Sequence, residues 1–90
     1  MRLDIFLSDS RLIKRRTLAK KACEDGRVYV DGQRAKASKN IRAGQRIEID
    51  FFSKSLEVEV LDIPKGNVKK QEAINLYKVL KEKTKRTGFL

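Results

Sequence analysis

Histidine and tryptophan are absent from this chain of 90 residues, and cysteine and proline occur once each. Without histidine, a His-based catalytic triad is impossible, and one cysteine leaves too few ligands for an ordinary zinc site. The five glycines are scattered and form neither a phosphate-binding loop nor a dinucleotide fingerprint. The closely spaced Glu57 and Glu59 fit the solvated face of a strand. We therefore predict a protein that is not an enzyme and that holds no metal, cofactor or small-molecule substrate.

Long hydrophobic runs are also missing. No apolar stretch approaches the roughly 18 residues of a membrane span, and the first residues lack a charged-then-apolar signal pattern. The lone Cys23 excludes an internal disulfide and is typical of a reducing compartment. Apolar residues make up 40% of the chain, enough for one modest core. These features predict a small cytoplasmic protein that does not enter a membrane.

Positive charge is what the chain has in excess. The formal net charge is +10, and residues 11–46 hold twelve Lys or Arg against three acids. Apolar residues and turn signals recur between these charges at regular spacing, which a disordered basic tail would lack. A folded and strongly basic surface predicts a polyanionic partner, most simply a nucleic acid.

Two short helices are predicted near the start of the chain. The spacing of Leu3, Phe6 and Leu7 at i, i+3 and i+4 predicts a helix over residues 2–8, with Asp4 in its first turn. A second helix is predicted from Lys14 to Asp25, closed by Gly26 as a left-handed cap. Its expected apolar stripe consists of Leu18, Ala19, Ala22 and Cys23. Between Arg11 and Lys21 there is no acid, which favours an anion-binding face over an ordinary solvated one.

A small sheet is predicted after these helices. Val28 and Val30 share one strand face, and the following Asp31-Gly32 is a strong hairpin turn. Residues 36–40 have no clear period and should run irregularly, and Ala43-Gly44 makes a second turn. Two alternating strands then carry Ile47 and Ile49, and Leu56, Val58 and Val60. Phe51-Phe52 lies between them. We expect it to close the core, with stacking on a base as the alternative.

The last third of the chain is predicted to end in a helix. Pro64-Lys65-Gly66-Asn67 indicates a turn or linker, and Ala73, Leu76, Tyr77 and Leu80 recur at helical spacing. The predicted helix covers residues 68–84 and frays beyond them. Its Lys78, Lys81, Lys83 and Lys85 are expected on a solvated face. The predicted fold is one α+β domain with a shared core of Leu3, Phe6, Leu7, Leu18, Ala22, Val28, Val30, Ile47 and Ile49.

The order of these parts resembles a known family. Five segments, in the right order and spacing over residues 1–50, are similar to the RNA-binding domain named after ribosomal protein S-four. They are Arg2-Leu3-Asp4, Lys14-Arg15-Arg16-Thr17-Leu18-Ala19, Gly26-Arg27-Val28-Tyr29-Val30-Asp31-Gly32, Lys36-Ala37-Ser38 and Ile41-Arg42-Ala43-Gly44-Gln45-Arg46-Ile47. The family usually has an acid in place of Gln45, a departure that touches turn chemistry more than binding. The resemblance implies two N-terminal helices on a small sheet, with residues 1–62 as the RNA-binding domain and residues 63–90 as a linker and helix.

A narrower resemblance is carried by Leu12-Ile13-Lys14-Arg15-Arg16-Thr17-Leu18-Ala19-Lys20 and by the short remainder of the chain. They look like the RqcP family, small stand-alone bacterial proteins related to heat-shock protein fifteen. This resemblance implies a factor of ribosome-associated quality control. It would bind large-subunit rRNA and peptidyl-tRNA on obstructed large ribosomal subunits, beside other quality-control factors, and support C-terminal tailing of the stalled chain. We expect it to act as a monomer.

The expected binding surface is the basic face of the first two helices and the irregular segment after the hairpin. Arginine forks can grip phosphates bidentately, and RNA duplexes are recognised mainly by shape and backbone contacts. The predicted RNA-binding residues are Arg2, Arg11, Lys14, Arg15, Arg16, Lys20, Lys36 and Lys39. The Thr17 hydroxyl could serve a phosphate or bond within its own helix.

Other functions remain open on the sequence alone. One is a general binder of structured RNA or rRNA, in ribosome assembly or in heat-shock recycling of the large subunit. A basic adaptor that docks an acidic protein is another, as is a remnant of an RNA-modifying enzyme acting in trans. Two helices joined by a short break would also suit DNA, but no Asn or Gln lies between Arg11 and Asp25 to read bases.

Overall fold

The computed structural model describes residues 1–66 and 68–84 and has an α+β fold. Five strands form one antiparallel sheet in the order β2-β1-β3-β4-β5. The elements are α1 (Leu3–Asp9), α2 (Arg16–Glu24), β1 (Val28–Val30), β2 (Gln33–Arg34), β3 (Arg46–Asp50), β4 (Lys54–Val60), α3 (Lys70–Ala73) and β5 (Tyr77–Thr84), with a 3₁₀ turn at Ile74–Leu76 before β5.

The two N-terminal helices are present close to their predicted bounds. Helix α1 buries Leu3, Phe6 and Leu7 completely. It ends in a sharp reversal at Arg11, whose φ of 66° lies in the left-handed region that favours glycine. The next turn is fixed by the Ile13 N–H, which donates to the Leu7 carbonyl at 3.0 Å. Helix α2 closes at Gly26 with φ 74°, the left-handed cap that the sequence predicts.

The hairpin and the strand registers also follow the sequence pattern. Asp31 and Gly32 both have positive φ, 51° and 84°, which is the geometry of a type I′ turn between β1 and β2. On the other side of β1, Ile47 of β3 faces Val30 and also Val58 of β4. Because side chains alternate along a strand, these residues share one inner face, and α1 and α2 cover it.

The core contains most of the predicted residues but not Leu18. Its side chain is 50% exposed, so the prediction that it is buried is wrong. Helix α2 lies against α1 and enters the core through Ala19 and Cys23, which are 0% and 5% exposed, while Ala22 is half-buried. At about 100° per residue, Leu18 lies on the flank of that contact. The small residues Ala19 and Cys23 are the part of α2 that enters the core, and Leu18 on the flank stays outside it.

The predicted helix over residues 68–84 is mostly wrong. Only α3, four residues long, and the 3₁₀ turn are helical, and their buried apolar residues are Ala73 and Leu76. From Tyr77 onward the chain is strand β5, which pairs with β4 over its whole length. Pairing to a distant strand satisfies its backbone hydrogen bonds, and the helical spacing did not reveal that partner. The boundary at residue 62 stays a prediction, and Lys85 lies outside the described residues.

The Phe51-Phe52 pair divides between core and solvent. Phe51 is half-buried against the core, whereas Phe52 is 83% exposed. Both follow β3 in the turn to β4, where one side chain points inward and the next does not. The expectation that the pair closes the core is therefore wrong for Phe52.

The outer sheet face, opposite the helices, carries charges of both signs. Glu48 of β3 faces Glu57 of β4, and Glu57 in turn faces Lys81 of β5. Glu59 faces Lys78 in the same way, and Arg46 approaches Glu57 at 4.0 Å. Opposite charges across strands offset the repulsion of the two glutamates. Acids and bases are nearly balanced on this face.

Candidate nucleic-acid interface

One buried carboxylate joins the start of α1 to the start of α2. Asp4 is 1% exposed, and its two oxygens accept hydrogen bonds from Arg2 Nε and Nη2 at 3.1 and 3.2 Å. Arg16 Nε reaches the same carboxylate at 3.5 Å. The Arg2 and Arg16 side chains, 45% and 57% exposed, are thereby held on the same carboxylate with part of each in solvent. This pair provides the forked donors that bind phosphate oxygens.

The pKa of Asp4 reflects this arrangement. Burial acts to raise it, but hydrogen bonds from Arg2 and the Ile5 N–H and the positive charges of Arg2 and Arg16 outweigh burial. The pKa is lowered as a result, so Asp4 is ionised at neutral pH. A charged Asp4 keeps both arginines oriented in the absence of any ligand.

Backbone hydrogen bonds attach the first residues to the segment after the hairpin. The Leu3 N–H donates to the Lys39 carbonyl at 2.8 Å, and the Asp4 N–H donates to the Ala37 carbonyl at 3.1 Å. The irregular course predicted for residues 36–40 is confirmed, and it serves to receive these bonds. Arg2 is thus brought beside Lys36, 34 residues further along the chain.

An open hollow of about 640 Å³ lies where these segments meet α2. Four cationic side chains line it: Arg2, Lys20, Arg34 and Lys36. The Ser38 hydroxyl adds a neutral donor, and Glu24 and Asp25 contribute two acids at the α2 end. We call Arg2, Arg16, Lys20, Arg34 and Lys36 the cationic face.

Arg34 was not among the residues predicted from the sequence. The hairpin turn at Asp31-Gly32 folds β2 back so that Arg34 pairs with Tyr29. Its guanidinium lies over Gly26, where the Cβ of any other residue would come within 2.9 Å of Arg34 Nε. Gly26 therefore provides both the left-handed cap of α2 and the space for Arg34. A basic residue two positions after a two-residue hairpin turn was the available signal.

The structure gathers only part of the predicted set. Arg2, Arg16, Lys20 and Lys36 belong to the cationic face, and Lys39 lines an adjoining hollow together with Arg34 and Lys36. The others, Arg11, Lys14 and Arg15, are exposed along the α1–α2 connection. Thr17 is exposed as well, and its role stays open. The function of each residue in RNA binding remains a prediction.

Cys23 lies at the base of the hollow and is 5% exposed. Burial, with the charges of Asp4 and Glu24, raises the pKa of its thiol to about 11. The thiol is protonated at neutral pH, so it is a packing residue and a poor nucleophile.

Two further features bear on the kind of site. Within residues 1–66 and 68–84, no cluster of three metal-ligating side chains could hold a metal ion. The longest helix in that part of the chain has nine residues, and no helix there could span a bilayer.

The class of protein follows from the match of its first half. A family model described as the S4 domain matches residues 1–47, the part that holds α1, α2, the hairpin and all of the cationic face. The chain belongs to the S4-domain family, as its motifs predict. This match also accounts for the RNA-binding character inferred from its charge.

Relatives narrow the class further. The RQC P-site tRNA stabilizing factor of Bacillus subtilis is 48% identical over 82 residues, which cover 91% of this chain and 94% of that protein. The factor of the same name in Halalkalibacterium halodurans is 51% identical over 82 residues, which cover 91% of this chain and 92% of that protein. Identity of this extent places the protein in the family of these factors.

A solved structure extends the comparison to heat-shock protein fifteen. The trimeric structure of Vibrio cholerae Heat Shock Protein 15 is similar with a TM-score of 0.79 and 32% identity, covering 88% of this chain and 80% of that one. The α+β fold and the relation to heat-shock protein fifteen are both confirmed.

Proposed function

We propose that this protein binds structured RNA through the cationic face and acts as a ribosome quality-control factor. The observation that carries the proposal is the Asp4 carboxylate, which holds Arg2 and Arg16 in one orientation at the surface. Ordering those two side chains before binding removes an entropic cost of about 0.5–1.5 kcal/mol for each.

The RNA is proposed to be a tRNA in the P site together with large-subunit rRNA. The names of the relatives support this choice, since they describe stabilisation of P-site tRNA. A protein of this kind would occupy obstructed large subunits that retain peptidyl-tRNA and shift the tRNA toward one arrangement while the stalled chain receives its C-terminal tail. It would do so in the cytoplasm, without catalysing a reaction, beside other quality-control factors. Its action as a monomer remains a prediction.

The first experiment locates the binding surface. Arg16→Ala should weaken binding to large subunits carrying peptidyl-tRNA by roughly 1–2 kcal/mol, because charge-assisted phosphate contacts are lost. Its thermal stability should change little, since Asp4 keeps two hydrogen bonds from Arg2. Lys81→Ala is the matched control, because Lys81 is exposed on the outer sheet face. Equal losses from both variants would mean diffuse attraction by net charge.

The salt dependence of the binding affinity is a second measurement in the same assay. With roughly four to six phosphates neutralised, the log–log slope of affinity against salt should be about −3 to −5. Arg16→Ala should make this slope shallower by about one. A flat dependence for the wild type would exclude the cationic face as the binding surface.

The cellular experiment tests the quality-control role. Depletion of the protein, or replacement by the Arg2→Ala and Arg16→Ala double variant, should reduce C-terminal tails on stalled chains. The wild-type protein should fractionate with large subunits that retain peptidyl-tRNA. Undiminished tailing, or fractionation only with small subunits, would contradict the quality-control role and would support only a general RNA-binding function.

A further inference from the structure

A second surface lies on the other flank of α2. Leu18, exposed against expectation, lines a groove of about 350 Å³ with Leu12, Ala22, Phe51 and Phe52. Arg16 and Leu18 are about 160° apart around the helix, so the groove and the cationic face are separated by roughly one helix diameter, 10–12 Å. Leu18 and Phe52 are exposed beside the half-buried Leu12, Ala22 and Phe51, and such a grouping of apolar side chains at the surface indicates a contact surface.

Phe52 is held in a defined orientation although it is 83% exposed. The Arg27 guanidinium carbon lies 3.3 Å from the centre of its ring, within the range of a cation–π contact. Arg27 therefore covers one face of the ring and leaves the remainder open. The result is a flat aromatic surface next to the aliphatic side chains of the groove.

The charges around the groove indicate its occupant. Lys14 and Arg27 line it as cations, and Asp50 is its acid. Lys14 also belongs to the α1–α2 connection, where Arg15 follows it directly before Arg16 at the start of α2. Three consecutive exposed cations, Lys14, Arg15 and Arg16, therefore link the groove lining to the cationic face along the chain. An anionic chain that also carries flat rings is complementary to this combination, and single-stranded RNA is such a chain.

We propose that the groove receives one unpaired nucleobase of the bound RNA, stacked on the open part of Phe52 and packed against Leu18, with its phosphate near Lys14. This proposal rests on the proposed function, because the same RNA would have to engage the cationic face. It assigns a binding role to Lys14, which lies away from the cationic face.

The test measures binding of the full chain to large ribosomal subunits that carry peptidyl-tRNA. Phe52→Ala should weaken binding about tenfold, within the range for loss of one base–aromatic stack. Phe52→Tyr keeps the ring and should stay within about twofold of the wild type. Phe52→Leu keeps apolar bulk without a π-face and should weaken binding like Phe52→Ala. Ile74→Ala is the control, since Ile74 is apolar and 68% exposed but lies outside the groove.

Photocrosslinking separates RNA from protein as the occupant. With benzoylphenylalanine at position 52, irradiation on the same subunits should give an adduct that ribonuclease degrades. An adduct with a ribosomal protein alone, or wild-type affinity of Phe52→Leu, would overturn the nucleobase proposal. If Arg16→Ala loses affinity while Phe52→Ala does not, the inference fails and RNA binding by the cationic face stands. If neither variant loses affinity, both proposals fall.

Discussion

Substituting Asp4 by Asn is the most direct test of how the cationic face is built. The change keeps the shape of the side chain and raises the net charge of the protein from +10 to +11. Attraction by net charge alone would therefore make the variant bind RNA more tightly. If Asp4 works by orienting Arg2 and Arg16, the variant must bind more weakly. The two explanations therefore predict changes of opposite sign in RNA affinity.

The size of the effect can be worked from the contacts of Asp4. The carboxylate accepts two hydrogen bonds from Arg2, one longer bond from Arg16 and one from the Ile5 N–H at 2.8 Å. An Asn oxygen in the place of either carboxylate oxygen could keep two of these four hydrogen bonds, and the amide group in the other place would put a donor against a guanidinium. Hydrogen bonds to charged groups contribute about 1.5–3 kcal/mol, less where the partners are half exposed. We expect a loss of about 2 kcal/mol, which lowers Tm by about 8–16 °C in a domain of this size.

Binding should fall about tenfold, because two long side chains must be ordered again on contact with RNA. The control is Glu48→Gln, which changes the net charge equally but on the outer sheet face. Its affinity should equal or exceed that of the wild type. Tighter binding by Asp4→Asn than by the wild type would refute the orienting role.

The pH dependence of stability gives an independent check. The pKa of Asp4 is lowered on folding from its ordinary value of 3.8, so the ionised form stabilises the folded state above pH 3.8. That contribution is lost as the pH falls below 3.8. The difference in unfolding free energy between the wild type and Asp4→Asn should therefore be constant near neutrality and shrink below that pH.

Three other changes give separable outcomes. Gly26→Ala and Gly32→Ala both place Cβ at positive φ, 74° and 84°, and each should cost about 1–2 kcal/mol in thermal unfolding. Only Gly26→Ala also displaces Arg34, so only that variant should lose more RNA affinity than its instability explains. Equal RNA affinities of the Gly26→Ala and Gly32→Ala variants would show that Arg34 is not part of the binding site. Arg11→Gly should raise the unfolding free energy by about 0.5–1 kcal/mol, since Arg11 has φ 66°, yet weaken RNA binding if the side chain contacts phosphate. Cys23, buried and with a pKa of about 11, should resist alkylation in the folded protein at about pH 8 and react after unfolding; rapid labelling of the native state would contradict its packing.

The parts of the fold with local signals could be predicted from the sequence. The Asp31-Gly32 turn requires two positive φ angles, and the residue types that tolerate them identify it without any tertiary information. Strand β5 has no such signal. Its pairing with β4 joins residues that are far apart in sequence, and the spacing of Ala73, Leu76 and Tyr77 fits a helix equally well. Short apolar patterns are ambiguous until the partner strand is known.

The candidate site was predictable in charge but not in geometry. A run without acids between Arg11 and Lys21 identified the basic surface. For Asp4, the sequence indicated only a favourable charge in the first turn of a helix. Its role depends on α2 lying beside α1, which the small residues Ala19 and Cys23 determine. The same close packing left Leu18 outside the core. The role of Asp4 and the exposure of Leu18 therefore depend on how closely the helices pack, which the spacing of residue types in the sequence does not reveal.

The uneven placement of charge also affects how the protein approaches its target. The helices present an excess of cations, while the outer sheet face, with Glu48, Glu57 and Glu59 against Arg46 and the lysines of β5, is nearly neutral. The molecule therefore has an electric dipole directed from sheet to helices. In the field of a polyanion a dipole turns before contact, within a few Debye lengths of about 8 Å at physiological salt. Fewer encounters then bring the outer sheet face toward the RNA. The rate of productive association rises without any added contact in the complex.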